Sequence, residues 1–362
     1  MKKPSKKQIL RIKNINNKER KTRRSQCYYT SRLKRNVETI KFTENISLFI
    51  PRERDKIVKL IQAAESGSAS KYYLDFSNVK ILNPLTALYI KHYLDKYPDA
   101  RFKSKNCKNV IPRAAFKLLG FNKSFCLRDI KNSKYHTYVD DWNICSGKNC
   151  DLSKPTLDHL IEMRAIFKDK GAFLKLSDAI MEAINNVVQH AYCESTYKKW
   201  FMLTHVSKDN KSISVVVSDL GASVPFTIPK SFTEKFKDIL NYDVSDFLVE
   251  VGLIAEPKTN SAEDLRSFND SKLIKIATRL NSTRTNQAHR GKGFNDILSL
   301  VKNAKDFEEI ESVTTSVLSR SGSYVYKACP NGLSKEISYE DSLKDFTNQI
   351  KGTVISWTIQ LV

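Results

Sequence analysis

The stretch that most constrains this chain is residues 176–192, which read LSDAIMEAINNVVQHAY. At about 100° per residue, Ile180, Ile184, Val187, Val188 and Ala191 share one apolar stripe, the pattern of a helix packed on a core. Ser177 is the expected N-cap, with the helix starting at Asp178. Glu182, Asn186 and His190 recur at four-residue spacing on a second stripe that points elsewhere. A solvated helix face normally mixes Lys, Arg and Glu. This one carries Glu182, Asn186, Gln189 and His190, with no cation of fixed charge. A neutral amide oxygen is a hard donor suited to magnesium, which prefers oxygen ligands and keeps waters. A carboxylate one turn away can position or deprotonate a water or hydroxyl nucleophile.

Three further segments come in order along the chain. SVVVSDLGASVP places Asp219 at the end of a β-branched run, ahead of Gly221 and Pro225. A buried carboxylate there can accept a hydrogen bond from an adenine amino group, and glycine lets a base approach the backbone. HRGKGFNDILSLV sets Gly291 and Gly293 around Lys292, directly before an amphipathic helix. Amides at a helix N-terminus together with a lysine suit a phosphate chain. KGTVISWTIQL gives Gly352 and Thr353 at the head of a terminal strand. Taken singly, these are a turn glycine, a hairpin glycine and a strand-start threonine.

The ordered set resembles the N, G1, G2 and G3 boxes of the GHKL superfamily of ATPases and kinases, over about residues 155–362. EAINNVVQHAY is most similar to the anti-sigma factor serine kinase form. The resemblance implies a Bergerat two-layer α/β sandwich binding ATP with Mg2+. It makes Glu182 the base or water-orienting residue, Asn186 the magnesium ligand and His190 a neighbour of the phosphates. It sets Asp219 on adenine with Gly221 beside it, Gly291, Lys292 and Gly293 under the phosphates, and Thr353 in support of the adenine contact. Many GHKL proteins dimerise, which makes a homodimer an expectation by analogy. The sequence departs from the family at Ser223, where many members have a second glycine. The interval from Pro225 to Arg290 is long and is expected to hold the lid, with Arg279, Arg284 or Arg290 reaching the phosphates.

Upstream, residues 38–125 alternate as β-α-β-α-β-α. Glu38 to Ile50 reads as strand-like and 52–64 as helix. Residues 72–76 read as strand, 84–97 as helix, 101–105 as strand, and 113–119 as a last short helix. YYLDFSNVKILNPLTALYI followed by AAFKLLGF resembles a STAS domain, the fold of anti-sigma factor antagonists. At the strand-to-helix junction, where phosphorylated members carry serine, this chain has Asn83-Pro84-Leu85-Thr86. The unit reads as an interaction or sensor module that recruits a protein partner, and Thr86 as a capping or packing residue. Residues 126–154 read as a connector. His159, in PTLDHLIEMRAIF, is the one upstream candidate for a phosphoacceptor, and its apolar neighbours give it a packing role.

The net charge is +22 over 362 residues, and much of it is local. Residues 1–36 hold fourteen Lys or Arg against one acid, Glu19, a net +13. Such a tail (residues 1–37, expected to be flexible) can neutralise nucleic-acid phosphates or stay solvated. If it binds nucleic acid, deleting residues 1–36 is expected to abolish binding together with its salt dependence. Filter-binding titrations between roughly 50 and 200 mM salt check this, and salt-insensitive binding would argue against the tail. No apolar run approaches the ~18 residues of a membrane helix, and the basic N-terminus has no apolar stretch behind it, so neither a membrane span nor a secretory signal is expected. Seven scattered cysteines fit a reducing cytoplasm. Cys145 and Cys150 read as ordinary thiols in a loop.

The expected class is therefore α/β (α+β): a basic tail, a small STAS-like domain over 38–125, and a C-terminal nucleotide domain over 155–362. The expected function is that of a cytoplasmic regulatory protein binding ATP and magnesium, acting as a serine-kinase-like or ATPase switch on a protein partner. The alternatives are a non-catalytic nucleotide-gated switch, a nucleic-acid-binding protein working through its tail, or a degenerate pocket.

Overall fold

The computed structural model describes residues 37–125, 141–150, 152–192, 197–207, 209–228, 248–249, 251–253, 267–279, 296–330 and 337–362, with the side chains of Asn122, Pro155, His190 and Arg279 outside that set. The protein is of mixed α/β class.

In the N-terminal unit, short strands alternate with helices. The elements are β1 (Glu38–Lys41), β2 (Asn45–Ile46), α1 (Pro51–Glu65), β3 (Tyr72–Asp75), β4 (Ile81–Leu82), α2 (Pro84–Lys96), β5 (Lys103–Lys105), α3 (Val110–Leu118) and α4 (Asn122–Phe125). β1, β3 and β5 form a parallel sheet in that order, and β2 and β4 pair in parallel beside it. The single strand expected up to Ile50 is thus two short ones. Proline opens both long helices, where its missing N–H is no loss. Phe76 stacks on Phe42 at 4.9 Å and lies 5.0 Å from Phe116 and 5.4 Å from Phe125, which fills the unit's centre with aromatic rings. At the start of α2, Asn83 is the cap, its Oδ1 accepting from Thr86 N at 3.1 Å. Thr86 is fully buried and its hydroxyl accepts from Leu48 N at 2.9 Å, which fits the packing role expected of it.

The C-terminal half is one antiparallel sheet with a helical layer. Its elements are β6 (Asp141–Gly147), α5 (Lys154–Arg164), α6 (Lys170–Asn186), β7 (Trp200–Val206), β8 (Ser212–Ser218), α7 (Asp270–Arg279), α8 (Ser299–Lys302), β9 (Ile310–Pro330) and β10 (Ile337–Leu361). The order across the sheet is β6-β7-β8-β10-β9. β6 lies inside the stretch whose composition predicts a connector. Asp141, Asn143, Ser146 and Gly147 mask its strand signal, yet seven residues pair with β7 at the sheet edge. There a strand needs only one partner and half-buried side chains.

Alternation along the central strands explains why both faces of this sheet are covered. Trp200 and Met202 on β7, Val215 and Val217 on β8, and Ile355 and Trp357 on β10 pack toward the helical layer. Phe201, Leu203, Val216 and Val354 point the other way and join the core of the N-terminal unit. The unbroken run Val215-Val216-Val217 is the mark of a strand buried on both sides. Taken alone, the C-terminal half has two layers, a sheet and the helices on one of its faces. In the whole chain, α1 and α2 supply a third, so the two units share a core.

Polar groups fasten this joint where β9 and β10 lose register between Asp345 and Thr353. Arg54 of α1 is fully buried, with Nε donating to the Asn348 carbonyl at 3.0 Å, a second bond to the Arg320 carbonyl, and its guanidinium 4.3 Å above the Phe346 ring. Lys351 pairs with Glu65 at 2.6 Å and Lys199 with Asp95 at 2.8 Å. No helix among the described residues is long and apolar enough to cross a membrane.

Candidate functional site

Residues from three distant parts of the sequence meet at one end of the sheet. The first is the C-terminal end of α6. This helix begins at Lys170, eight residues before the expected start, because Asp169 caps it by accepting from Gly171 N at 2.6 Å. Ala172, Phe173 and Leu176 extend the buried stripe backwards through the first turns, leaving Ser177 in the helix interior. Ile180, Ile184, Val187 and Ala191 are buried as expected, whereas Val188 is half-buried. From Val187 to Ala191 the helix opens into a π turn, a distortion that often accompanies functional positions.

Glu182 and Asn186 lie on the predicted second stripe, both half-buried. Asn186 Nδ2 donates to Glu182 Oε1 at 3.2 Å. That orients the amide and leaves Asn186 Oδ1 as the oxygen donor. Burial raises the Glu182 carboxyl above the usual range, the nearby Asp296 charge adds to the rise, and the Asn186 bond opposes it. His190 lies in the π turn, and its side chain is outside the described residues.

The second part is the turn after β8. Asp219 is buried, 3% exposed, and burial lifts its carboxyl to about 7 against the lowering effect of the Gly221 and Thr353 amides. Its Oδ1 accepts from Gly221 N at 2.8 Å. Gly221 is required by closeness: a Cβ there would lie 2.1 Å from the Ala191 carbonyl oxygen. The turn is stitched to the end of the α6 segment, since Ala222 N donates to Ala191 O and Leu220 N to Tyr192 Oη at 2.8 Å. Ser223 is buried, and its carbonyl accepts from Phe226 N at 3.0 Å as residues 224–228 turn helical. It has no positive φ, so the departure from glycine carries no backbone strain.

The third part is the head of the last segment of β10. Asp219 N donates to Thr353 O at 3.0 Å. Gly352 has φ +70°, and a Cβ on it would lie 2.2 Å from the Asp219 carbonyl oxygen, so it needs glycine both for conformation and for contact. Thr353 is buried with Oγ1 3.0 Å from Ser319 Oγ. Ser319 also donates to Gly352 O at 2.9 Å and accepts from Val224 N at 3.1 Å, tying β9, β10 and the β8 turn together.

Gly291, Lys292 and Gly293 lie outside the described residues, as do Arg284, Arg290 and the side chain of Arg279. From Asp296 onward the chain is anchored close to α6 and β10. Ile297 O accepts from the buried Trp357 Nε1 at 2.8 Å, Ser299 Oγ reaches Lys175 O at 3.4 Å, and Asp296 bears on the Glu182 charge.

Tyr192, Ser319 and Asp296 are parts of this network that the sequence motifs do not single out. Tyr192 is the last residue of the 176–192 motif, and its adjacency to His190 is a signal that could have found it. Ser319 has no local signal in a strand of mixed composition. His159 is buried, with Nδ1 2.8 Å from Asn143 Nδ2 and Nε2 bonded to Thr204 Oγ1, so both ring nitrogens are engaged in packing contacts. Cys145 and Cys150 are free thiols, and no group of three or more His, Cys, Asp and Glu able to hold a metal occurs among the described residues.

The raised Asp219 carboxyl makes a prediction that needs no ligand. Between about pH 4 and 7 the folded chain holds a proton there that the unfolded chain, with its ordinary carboxyl near 3.8, has lost. Stability from this group is therefore present below that window and declines as pH rises through it. Asp219→Asn is expected to flatten this part of the melting temperature against pH and to raise it at pH 8. An unchanged profile would mean that Asp219 is solvated.

No family model matches the chain, and no curated protein matches it either.

Proposed function

We propose that this chain binds ATP with magnesium in a GHKL-type pocket and uses it as a serine-kinase-like or ATPase switch on a protein partner in the cytoplasm. The observation that supports this most is that the segment carrying the bonded pair Glu182 and Asn186 ends at Ala191, which bonds the turn of Asp219 and Gly221, which in turn bonds Thr353 beside Gly352. A turn glycine, a strand-start threonine and a helix face have no separate reason to meet.

In this reading the Asp219 carboxylate accepts from the adenine amino group, with Thr353 and Ser319 fixing its surroundings. Asn186 offers Oδ1 to magnesium. The donor set fits that ion: one amide oxygen beside the Glu182 carboxylate. Magnesium would supply charge neutralisation along the phosphates. Glu182, whose carboxyl is raised above its usual range by burial and by Asp296, takes the proton from the attacking hydroxyl or water. Gly291, Lys292 and Gly293 would cradle the phosphates ahead of the helical residues at 296–297.

Isothermal titration of ATP, with and without magnesium, tests this on wild type and Asn186→Ala. Wild type is expected to bind with a clear magnesium dependence, and Asn186→Ala to lose most of that dependence and about tenfold or more in affinity. Absence of binding by wild type would sink the reading. Binding without phosphate release or transfer to any partner would leave a non-catalytic nucleotide-gated switch.

A further inference from the structure

The joint between the two units meets the β8 and β10 strand ends immediately before the residues of the proposed base site. On β8, His92 Nδ1 of α2 lies 3.3 Å from Ser218 Oγ, and the next residue is Asp219. On β10, Tyr89 Oη of α2 accepts from Lys351 N at 3.0 Å and donates to Lys351 O at 3.3 Å, and the next residues are Gly352 and Thr353. Tyr89 and His92 are three positions apart, so they sit side by side on one face of α2. Both are fully buried. The His92 ring packs on Phe201 at 4.4 Å and the Tyr89 ring on Tyr93 at 5.3 Å.

A hydroxyl that both accepts from and donates to one residue's backbone holds that residue from two directions, whereas a packing contact alone tolerates sliding. Lys351 also lies at the register break between β9 and β10, where the ladder does not pin the chain. Beyond it, Asp219 N donates to Thr353 O at 3.0 Å and no room is left for a side chain on Gly352 against the Asp219 backbone, so a shift of residue 351 bears on Asp219 as well.

We propose that Tyr89 and His92 are positioning residues for the nucleotide base site, and that α2 is the element through which the N-terminal unit sets nucleotide affinity. This rests on the ATP-binding reading for its function, but the mechanical half stands without it. A partner that shifts α2 moves Ser218 and Lys351 together, and with them the Asp219–Thr353 pair. Burial and the nearby Lys199 and Lys96 charges keep the His92 ring neutral, with its pKa pushed down to about 3, so it bonds Ser218 as a neutral imidazole at any ordinary pH.

The test is Tyr89→Phe, which removes only the hydroxyl and keeps the ring. Phe125→Leu serves as the comparison, since it loosens the aromatic centre of the same unit without touching the sheet. Amide hydrogen exchange is followed at Asp219 and Thr353, and ATP affinity is measured by titration. Loss of the Tyr89 bonds is expected to speed exchange at both amides by about five- to tenfold, the worth of roughly 1 kcal/mol, and to weaken ATP by a similar factor. Phe125→Leu is expected to lower the melting temperature and leave both measurements unchanged. Unaltered exchange at Asp219 and Thr353 in Tyr89→Phe would overturn the proposal, as would an equal effect from Phe125→Leu. If wild type binds no ATP, the functional reading fails, and the exchange result still decides whether α2 positions these strand ends.

Discussion

Glu182→Gln is expected to lower ATP turnover, or transfer to a protein hydroxyl, by about 10²- to 10⁴-fold, the usual contribution of a general base. Glutamine keeps the length of the side chain and can still accept the 3.2 Å bond from Asn186 Nδ2, so the Asn186 amide stays oriented. It cannot take up a proton. Affinity for magnesium–ATP is therefore expected to stay within a few fold of wild type. The same argument gives the pH dependence. Because burial and Asp296 raise the Glu182 carboxyl, turnover is expected to rise with pH as that carboxyl ionises, with its midpoint above the ordinary carboxylate range. Phosphate release, or radiolabel transfer from the γ-phosphate, followed across pH measures both. Turnover in Glu182→Gln equal to wild type would exclude it as the base.

The largest expected effect on folding comes from removing the N-terminal unit. A chain of residues 141–362 would expose Phe201, Leu203, Val216, Leu318 and Val354, which are buried in the shared core. Five such side chains at roughly 1.5–3 kcal/mol each come to about 10 kcal/mol. That is comparable with the roughly 5–15 kcal/mol by which whole domains are stable. The fragment is expected to aggregate or to melt without a cooperative transition, as followed by light scattering and calorimetry. A soluble fragment with a sharp melting transition would show that the second face of the sheet can stand in water, and that the two units are independent.

Much of the local structure was legible because it depends on near neighbours. The β-α alternation of residues 38–125, the two proline-started helices and the face shared by Glu182 and Asn186 all follow from periodicity and turn chemistry. Errors fell where a local rule met a competing one. Ser177 is a good capping residue, but Asp169 lies where an apolar stripe running from Ala172 can be used in full. The polar composition of residues 141–147 suits a loop, but an edge strand tolerates it.

The sequence by itself determined which groups are available: a carboxylate and an amide one helical turn apart, a carboxylate ending a β-branched run, and a glycine heading the last strand segment. Those are properties of spacing and residue type. Only the tertiary structure decided that they meet, because the bonds joining Ala191 to Ala222, Asp219 to Thr353 and Ser319 to Gly352 span between about 30 and 135 residues of chain. It also decided that the sheet carries a second unit on its other face. Val215, Val216 and Val217 announce burial on both sides of a strand without saying what buries it, since the hydrophobic effect has no direction. The paired bonds of Tyr89 to Lys351 do have one, and they tie the helix behind the sheet to the residue before Gly352.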